Sequence, residues 1–295
     1  MIHVAVFGYG NVGQNAVAAC EDSGDMRLVG VVSRTLAARG GDYRFAVAAS
    51  EEGLPAFEVA ILAQPTRQVE ETALRLLGKG IRTVDSFDVH GEIPALRARL
   101  DTAAKASGAA AIISAGWDPG SDSVVRALME AITPRGVTYT NFGPGMSMGH
   151  SVAVKAIPGV RDGLSLTIPL GTGIHRRLVY VELESGASLA EVTAAIKADP
   201  YFARDETHVA QVDSVRALMD MGHGVAMERK GVSSGVHNQL LSFNMKVNNP
   251  ALTAQVMCAA ARAVTRQSPG CYTLIEVPPV DLLPMPRDEA VARLV

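Results

Sequence analysis

An apolar run with β-branched residues passes directly into three spaced glycines near the start of the chain. The run is residues 4–7, and Gly8, Gly10 and Gly13 follow it. Apolar residues then recur at helical spacing as far as Cys20, so the stretch predicts a strand, a tight turn and a helix. Glycines at these places let the chain turn, let the backbone approach a pyrophosphate and let the helix pack close to the strand. The order therefore predicts dinucleotide binding rather than an incidental glycine turn.

The end of the second predicted strand decides the coenzyme preference. This strand spans residues 26–32 and ends in Ser33 and Arg34. A chain that binds NAD usually places Asp or Glu here to hold the ribose 2′-hydroxyl. A hydroxyl and a guanidinium suit a 2′-phosphate instead, because arginine can donate two parallel N–H groups to it. The pair predicts NADP, and the alternative is that Arg34 is an ordinary solvated arginine.

Strand and helix patterns alternate regularly through the first part of the chain. Further apolar strands are predicted at residues 58–63, 81–84 and 109–114, and helices at residues 67–79 and 93–107. This α/β alternation predicts a doubly wound parallel sheet, the Rossmann architecture, in which ligands bind outside the carboxyl ends of the strands. The segments that leave these ends, which we expect to converge on one cofactor, are residues 8–13, 33–34, 64–66, 86–88 and 116–118.

The pattern changes after a helix predicted at residues 121–131. Strands are then predicted at residues 137–142, 164–168, 178–183, 225–229 and 239–247, with one clear helix at residues 189–198. This order predicts a second, α+β domain on a mixed or antiparallel sheet. We therefore expect a dinucleotide-binding domain at residues 1–118, to which a tail from about residue 280 to residue 295 returns, and a substrate-binding and dimerisation domain at residues 119–279.

Composition excludes several classes of partner. The chain has 295 residues, of which 48% are hydrophobic, and a net charge of −3, so we expect a packed core and no affinity for nucleic acid or an anionic membrane. No apolar run reaches about 18 residues, the length that a membrane span needs. Three cysteines form no C-x-x-C pair, and Cys20 and Cys258 fall in helical patterns typical of buried small residues. We expect a cytoplasmic protein.

Two acidic loops leave the carboxyl edge of the predicted sheet. Asp88 and Asp118 are placed where a nicotinamide is expected, so either could receive an ammonium group or assist proton transfer. The alternatives are that Asp88 only starts a turn and that Asp118 caps the helix at Ser121. Trp117, the only tryptophan, is as typical of a core as of a ligand face. Its place on a loop favours contact with the ligand.

Other candidate residues carry little weight one by one. Residues 141–150 form a Gly-rich stretch that could admit a ligand or could be a structural turn. Four polar residues lie at a strand edge or a helix start: Thr167, Arg177, His223 and Asn249. Neither His175 nor His223 has the spacing of a metal ligand such as H-E-x-x-H, and no G-x-S-x-G motif is present. We therefore expect neither a metal site nor a nucleophilic hydrolase.

Six segments together resemble the meso-diaminopimelate D-dehydrogenase family over nearly the whole chain. They are G-Y-G-N-V-G at residues 8–13, V-D-S-F-D-V-H-G at 84–91, S-A-G-W-D-P-G at 114–120, T-N-F-G-P-G-M-S-M-G-H-S at 140–151, M-G-H-G at 221–224 and N-N-P-A at 248–251. The last four are far more specific than the glycine turn.

The resemblance implies an NADP-dependent, typically dimeric enzyme of lysine biosynthesis. Such an enzyme reversibly deaminates the D-centre of meso-2,6-diaminopimelate by oxidation, giving L-2-amino-6-oxopimelate (tetrahydrodipicolinate) and ammonia. The Met-containing Gly-rich stretch resembles a subgroup that accepts other D-amino acids or aminates 2-keto acids, which is the first alternative. The second alternative, from another class, is a non-catalytic regulator that binds NADPH. It does not require two aspartates beside the nicotinamide, and this chain has both.

The resemblance also implies roles for individual residues. Asp88 and Asp118 would be catalytic, and would surround the reacting centre of the substrate together with Trp117, Met148 and Gly149. Phe142 would line the same pocket, and the distal amino-acid end would be held by Thr167, Arg177, His223 and Asn249. Thr35 stands where many relatives have a second basic residue, which puts strict NADP selectivity in question. The implied cofactor residues are Gly8, Tyr9, Gly10, Asn11, Val12, Gly13, Ser33, Arg34, Thr35, Gln64, Pro65, Thr66, Ser86, Phe87, Ala115 and Gly116.

Overall fold

A computed structural model describes residues 1–219 and 222–295 of the chain, so Met221 of the M-G-H-G segment lies outside the described residues. The helices are α1 (Asn11–Asp22), α2 (Arg34–Arg39), α3 (Thr66–Gly78), α4 (Ile93–Ser107), α5 (Ser121–Ile132), α6 (Met148–Lys155), α7 (Leu189–Ala198), α8 (Asn249–Val264) and α9 (Arg287–Leu294). The strands are β1 (Ile2–Phe7), β2 (Met26–Val32), β3 (Ala46–Ala48), β4 (Val59–Leu62), β5 (Arg82–Asp85), β6 (Ala110–Ile112), β7 (Arg135–Phe142), β8 (Gly145–Met146), β9 (Val160–Gly171), β10 (Ile174–Leu183), β11 (Glu206–Gln211), β12 (Gly222–Ser233), β13 (Val236–Asn248) and β14 (Gly270–Tyr272).

The chain divides into two compact units, and the first holds a parallel sheet. This unit comprises Met1–Val125 and Pro250–Val295. Its strand order is β14-β6-β5-β4-β1-β2-β3, and every pairing in it is parallel. Alternate residues of β1 point to opposite faces, so Val4 packs with α1 and α8 while Phe7 packs with α3 and α4. Helices therefore cover both faces of the sheet, and the predicted doubly wound Rossmann fold is confirmed.

The C-terminal segment contributes more to the first unit than the sequence predicts. The predicted second domain, residues 119–279, includes α8 and β14, whereas the structure places both in the first unit. β14 pairs with β6 and extends the sheet by one strand beyond the expected last one. α8 carries small residues that let it pack closely on the sheet, and its Cys258 Sγ lies 3.4 Å from Cys20 Sγ of α1. Both cysteines are buried, as predicted.

The second unit, Arg126–Asn249, contains two sheets. The four-stranded sheet has the order β11-β10-β9-β8 and is mixed, since β10 and β11 are parallel whereas β9 and β10 are antiparallel. The three-stranded sheet, β13-β12-β7, is antiparallel throughout. The predicted α+β domain is confirmed, although the sequence pattern missed β11 and α6. Within residues 1–219 and 222–295, no helix is both long and apolar enough to cross a membrane.

Candidate functional site

The glycine turn between β1 and α1 has no room for side chains at two of its three glycines. Gly8 has a φ of +96°, and a Cβ there would lie 2.4 Å from the carbonyl oxygen of Ala63. A Cβ at Gly13 would lie 2.2 Å from the carbonyl oxygen of Gly8. At Gly10, in contrast, an added Cβ would meet no atom within 4 Å, so the space beside the backbone is open. Such a turn fits the close approach of a pyrophosphate.

The N-terminus of α1 opens at the same turn. Its N-cap residue is Gly10, which offers no side-chain hydrogen bond, and no acidic residue stands in the first turn. The first N–H groups of α1 and the positive end of its dipole are thus available to an anion. Asn11 and Val12 begin the helix, and the ring of Tyr9 lies 5.6 Å from that of Phe45. The residues of this turn therefore fit the diphosphate of a dinucleotide.

The end of β2 presents the residues predicted to read a 2′-phosphate. Ser33 is the N-cap of α2, and its Oγ accepts a hydrogen bond from the Leu36 N–H at 3.2 Å. Arg34 and Thr35 follow in the first turn and are exposed. Within the described part of the chain, no hydrogen bond or ion pair engages the Arg34 side chain. Its guanidinium is therefore available to an anionic ligand.

The loops after β4 and β5 are joined by side-chain hydrogen bonds. Pro65 precedes α3, and Gln64 Nε2 donates to Thr72 Oγ1 of that helix at 2.9 Å. Thr66 Oγ1 donates to Asp88 Oδ1 at 2.7 Å. This bond brings a predicted cofactor residue and a predicted catalytic residue together at the carboxyl edge of the sheet. It also orients one oxygen of the Asp88 carboxyl group.

Asp85 joins the loops after β5 and β6, a role that no pattern in the sequence indicates. Its Oδ1 accepts from the N–H groups of Phe87 at 2.9 Å and of Ser114 at 3.0 Å. Its carbonyl accepts from the Ala115 N–H at 2.7 Å. The side chain is fully buried, and burial raises its pKa to about 6. Within residues 1–219 and 222–295, Oδ2 has no hydrogen-bond partner.

The segment after β6 folds into a tight turn around a cis peptide bond. The cis bond joins Asp118 to Pro119, and the Gly116 N–H donates to the Pro119 carbonyl at 3.0 Å. Trp117 lies in this turn and is 4% exposed, so the predicted loop position is confirmed but the side chain is also packed. The half-exposed Ser86 lies within 3.6 Å of a Cβ built at Gly116. The predicted residues of the β5 and β6 loops are therefore neighbours.

In the second unit, Arg177 is held by two side chains. It lies opposite Thr167 across the β9–β10 pair, and its Nη1 donates to the Thr167 hydroxyl. Its Nε donates to Asp205 Oδ2 at 2.5 Å, an ion pair that the sequence does not reveal. Asp205 lies just before β11, which pairs with β10. A residue of β9 and the residue that precedes β11 thus fix the guanidinium.

The Gly-rich stretch passes close to two other predicted substrate residues. Built Cβ atoms show this proximity: one at Gly143 would lie 2.3 Å from the Thr167 carbonyl oxygen, and one at Gly145 would lie 2.8 Å from His223 Cα. Only glycine tolerates such approaches. The stretch is not one loop, however, because Met148 and Gly149 form the first turn of α6. Glycine has a low helix propensity, so the Gly-rich sequence did not predict this helix.

The backbone of Phe142 is held by a histidine. The Phe142 N–H donates to His175 Nε2 at 2.7 Å, and the two rings lie 5.5 Å apart. His175 Nε2 must therefore be unprotonated, and burial and the charge of Arg177 lower the pKa of His175 accordingly. Asn249 Nδ2 donates to the Met146 carbonyl at 3.3 Å.

Burial also lowers the pKa of two further histidines of this unit. It lowers the pKa of His223, and it lowers the pKa of His150 to about 3. The Arg177 charge acts in the same direction on both. Among the described residues, Arg177 is thus the cation of a polar cluster in which Asp205 supplies the compensating charge. No group of three or more potential metal ligands was found in residues 1–219 and 222–295.

Comparison with known proteins gives full-length relatives. A family model described as the diaminopimelic acid dehydrogenase C-terminal domain matches residues 116–176. The meso-diaminopimelate D-dehydrogenase of Bacteroides fragilis is 57% identical over 298 residues, which cover 100% of this chain and 99% of the relative. The enzyme of the same name from Ureibacillus thermosphaericus is 33% identical, covering 94% of each chain.

Two solved structures are similar over 100% of this chain and 99% of their own. One is the C. glutamicum DAP dehydrogenase in complex with DAP, with a TM-score of 0.90 and 30% identity. The other is an engineered D-amino acid dehydrogenase bound to NADP+, with a TM-score of 0.89 and 29% identity.

Proposed function

This chain belongs to the meso-diaminopimelate D-dehydrogenase family, and from this premise we propose that it catalyses the reversible NADP-dependent deamination of meso-2,6-diaminopimelate at its D-centre. Family membership makes it an amino-acid dehydrogenase rather than a non-catalytic regulator. The observation that carries the proposal is the full-length identity to an enzyme of that name. The reaction gives L-2-amino-6-oxopimelate and ammonia, which places the enzyme in lysine biosynthesis.

The reaction needs a hydride acceptor, a proton acceptor and water. Bound NADP supplies the hydride acceptor. The D-carbon loses its hydrogen with the bonding electrons, the amine nitrogen loses a proton, and a carbon–nitrogen double bond forms. Water then adds to that carbon, the carbon–nitrogen bond breaks, and ammonia leaves. The protein must orient the carbon–hydrogen bond and receive the ammonium group.

The first unit offers carboxylates for the reacting end of the substrate. Asp88 has one oxygen fixed by the Thr66 hydroxyl, which leaves the other to meet an ammonium group or take its proton. Asp118 stands in the neighbouring turn beside the packed Trp117. The open space at Gly10 and the exposed Arg34 in the same unit suit the diphosphate and the 2′-phosphate. One unit thus carries the groups that hold coenzyme and reacting amine.

The second unit offers donors for the distal amino-acid end. Arg177 and Thr167 are already bonded to each other, and a carboxylate suits the remaining guanidinium donors. His223 and Asn249 complete this proposed set, while Met148 and Gly149 are proposed to surround the reacting centre in the pocket that Phe142 also lines. A purified sample is expected to produce NADPH from meso-diaminopimelate at alkaline pH. L,L-Diaminopimelate, which has no D-centre, is the control substrate and is expected to give no NADPH. A folded sample that forms no NADPH with meso-diaminopimelate rejects the proposal.

Replacing Arg177 by alanine is expected to raise the KM for meso-diaminopimelate about 30-fold, because hydrogen bonds to a charged group are lost. The distal anchor is expected to bind substrate and transition state equally, so kcat stays within about threefold. Steady-state kinetics with saturating NADP+ measure both constants. Arg176→Ala is the matched control, since Arg176 pairs with Glu206 on the opposite face of β10. An unchanged KM in Arg177→Ala rejects the anchor role.

NADP preference is proposed to depend on Arg34. Arg34→Ala is expected to raise the Kd for NADP+ about 30-fold, since a charged donor to the 2′-phosphate is lost. The Kd for NAD+, which lacks that phosphate, is expected to stay within about twofold. Isothermal titration calorimetry measures both values. Arg39→Ala, an exposed arginine at the end of the same helix α2, is the control, and an equal loss for both coenzymes contradicts the prediction.

A homodimer is proposed on the three-stranded sheet of the second unit. Alternate residues of its edge strand β13 are apolar and remain half-exposed, among them Leu241, Phe243 and Met245. Half-buried apolar stripes on an edge strand favour a second copy of the chain. Sedimentation equilibrium tests this proposal, and a monomer at micromolar concentration rejects it.

The three free cysteines fit the reducing cytoplasm, which is the proposed location.

A broader D-amino-acid dehydrogenase, which also aminates 2-keto acids, is the second candidate. The observation that favours it is the half-exposed Met148 at the start of α6. Methionine has a flexible side chain that adapts to ligands of different shape. Turnover of a panel of D-amino acids and 2-keto acids with NADP(H) distinguishes the two candidates. Activity confined to meso-diaminopimelate rejects the second.

A further inference from the structure

Asp205 and Arg177 form a largely buried ion pair in the second unit. The Nε of Arg177 donates to Asp205 Oδ2 at 2.5 Å, and 14% and 25% of the two side chains are exposed. The Thr167 hydroxyl holds Nη1 from the strand on the other side. Of the five N–H donors of a guanidinium, these two contacts engage two. Within residues 1–219 and 222–295, no other hydrogen bond engages this group.

The ion pair has two separate consequences. The first is geometric, since contacts from Thr167 of β9 and from Asp205, just before β11, fix the plane of the guanidinium. The second is electrostatic, since the Asp205 carboxylate compensates the charge of Arg177 before any substrate binds. A polar group that is left unpaired in a site penalises substrates that cannot reach it. Prior pairing lowers that penalty.

We infer that Asp205 is a specificity-determining residue, which sets how strongly the enzyme requires a carboxylate at the distal end of its substrate. The inference rests on the proposed function, because it takes Arg177 as the distal anchor. With Asp205 in place, a substrate without a distal carboxylate leaves the guanidinium still paired. Without the Asp205 charge, the same substrate leaves a buried cation unpaired, and a substrate with a distal carboxylate gains attraction.

Two amino acids separate these effects because each differs from meso-diaminopimelate by one group. D-Lysine is meso-diaminopimelate without the distal carboxylate, so its distal end is positive. D-2-Aminopimelate lacks the distal amine, so its distal end is negative. Asp205 attracts the first and repels the second, and Arg177 does the opposite. The ratio of kcat/KM for D-2-aminopimelate to that for D-lysine therefore reports the charge at position 205.

Asp205→Asn is expected to raise this ratio about 30-fold relative to the wild-type enzyme, since one nearby charge acts on two ends of opposite sign. Asparagine keeps a carbonyl oxygen that can accept from Arg177 Nε, so the guanidinium stays oriented. Asp205→Glu restores the charge and is expected to bring the ratio back to within about threefold of wild type. Kinetics at saturating NADP+ and thermal unfolding are measured for each variant.

Glu206→Gln is the matched control. It removes the same charge from the next residue, but Glu206 pairs with Arg176 on the opposite face of β10. Its ratio is expected to stay within about twofold of wild type, since Glu206 lies on the other face. An unchanged ratio in a folded Asp205→Asn enzyme overturns the inference. An equal fall in kcat/KM for both amino acids also overturns it, because that result describes a purely structural residue.

A wrong proposed function would give a different result in the same assays from a wrong role for Asp205. In that case the wild-type enzyme forms no NADPH with meso-diaminopimelate, D-2-aminopimelate or D-lysine, and the inference falls with it. A wild-type enzyme that is active with these acids, but whose ratio does not respond to Asp205→Asn, rejects only the role of Asp205.

Discussion

Replacing Asp88 by alanine is expected to lower kcat/KM for meso-diaminopimelate about 1,000-fold, the typical contribution of a positioned proton acceptor. The reason is the place of its carboxyl group, which Thr66 Oγ1 orients through one oxygen at 2.7 Å. We expect the other oxygen to meet the amine of the substrate. Steady-state kinetics with meso-diaminopimelate and NADP+ give the constant, and calorimetric titration with NADP+ shows whether the coenzyme still binds.

Asp88→Asn separates the charge from the hydrogen bond. Asparagine can still accept from the Thr66 hydroxyl, yet it cannot take a proton, so its loss is expected to match that of alanine. Glu92→Ala is the control, because Glu92 is an exposed acid four residues further along the same segment. Near-normal turnover of Asp88→Asn contradicts a role in proton transfer. Near-normal turnover of Asp88→Ala removes Asp88 from the site altogether.

Helices with signals at both ends could be predicted from the sequence alone. α4 has the predicted bounds because a proline stands in its first turn and Gly108 ends it with a φ of +73°. α7 also has the predicted bounds, and its N-cap Ser188 accepts a hydrogen bond from the Glu191 N–H. In both cases the residues that fix the ends lie within the helix or beside it. Local chemistry is then sufficient.

Elements that depend on distant partners could not be predicted. β14 is three residues long and exists because it pairs with β6, about 160 residues earlier in the chain. β11 likewise depends on its parallel pairing with β10. α8 resembles any alanine-rich helix, and only its packing against α1 and the sheet assigns it to the first unit. The boundary between the two units therefore differs from the predicted one.

The candidate site shows the same division. The glycine turn and Arg34 are recognisable because their neighbours in the sequence supply the strand and the helix. Asp85 and Asp205 are not, because a lone aspartate at a strand end gives no sign of what it contacts. The role of Asp85 becomes visible from its burial and from the two N–H groups of separate loops that donate to it. The role of Asp205 becomes visible from its ion pair with an arginine on the neighbouring strand. Tertiary contacts alone reveal these two residues.

Asp85 is expected to make the protein less stable as the pH rises from about 4 to about 6. Burial raises its pKa from the ordinary 3.8 to about 6, so the folded chain holds a proton that the unfolded chain has already lost. Stability from this group is therefore present at low pH and lost as the pH rises through the folded pKa. A difference of about two pKa units corresponds to about 3 kcal/mol in the free energy of unfolding.

Asp85→Asn is expected to abolish this dependence while it keeps an oxygen that accepts from the Phe87 and Ser114 N–H groups. The free energy of unfolding of the wild type, minus that of the variant, is expected to fall by about 2 kcal/mol between about pH 4 and about pH 7. Urea unfolding at both pH values measures it. Asp25→Asn is the control, because the hydrogen bond from Arg262 lowers the pKa of Asp25 to about 2, so its contribution to stability changes only below about pH 4 and its difference from the wild type is expected to stay nearly constant across the measured range. If the wild type and Asp85→Asn keep a constant difference across this range, the Asp85 carboxyl group titrates alike in the folded and unfolded chains, and the raised pKa is wrong.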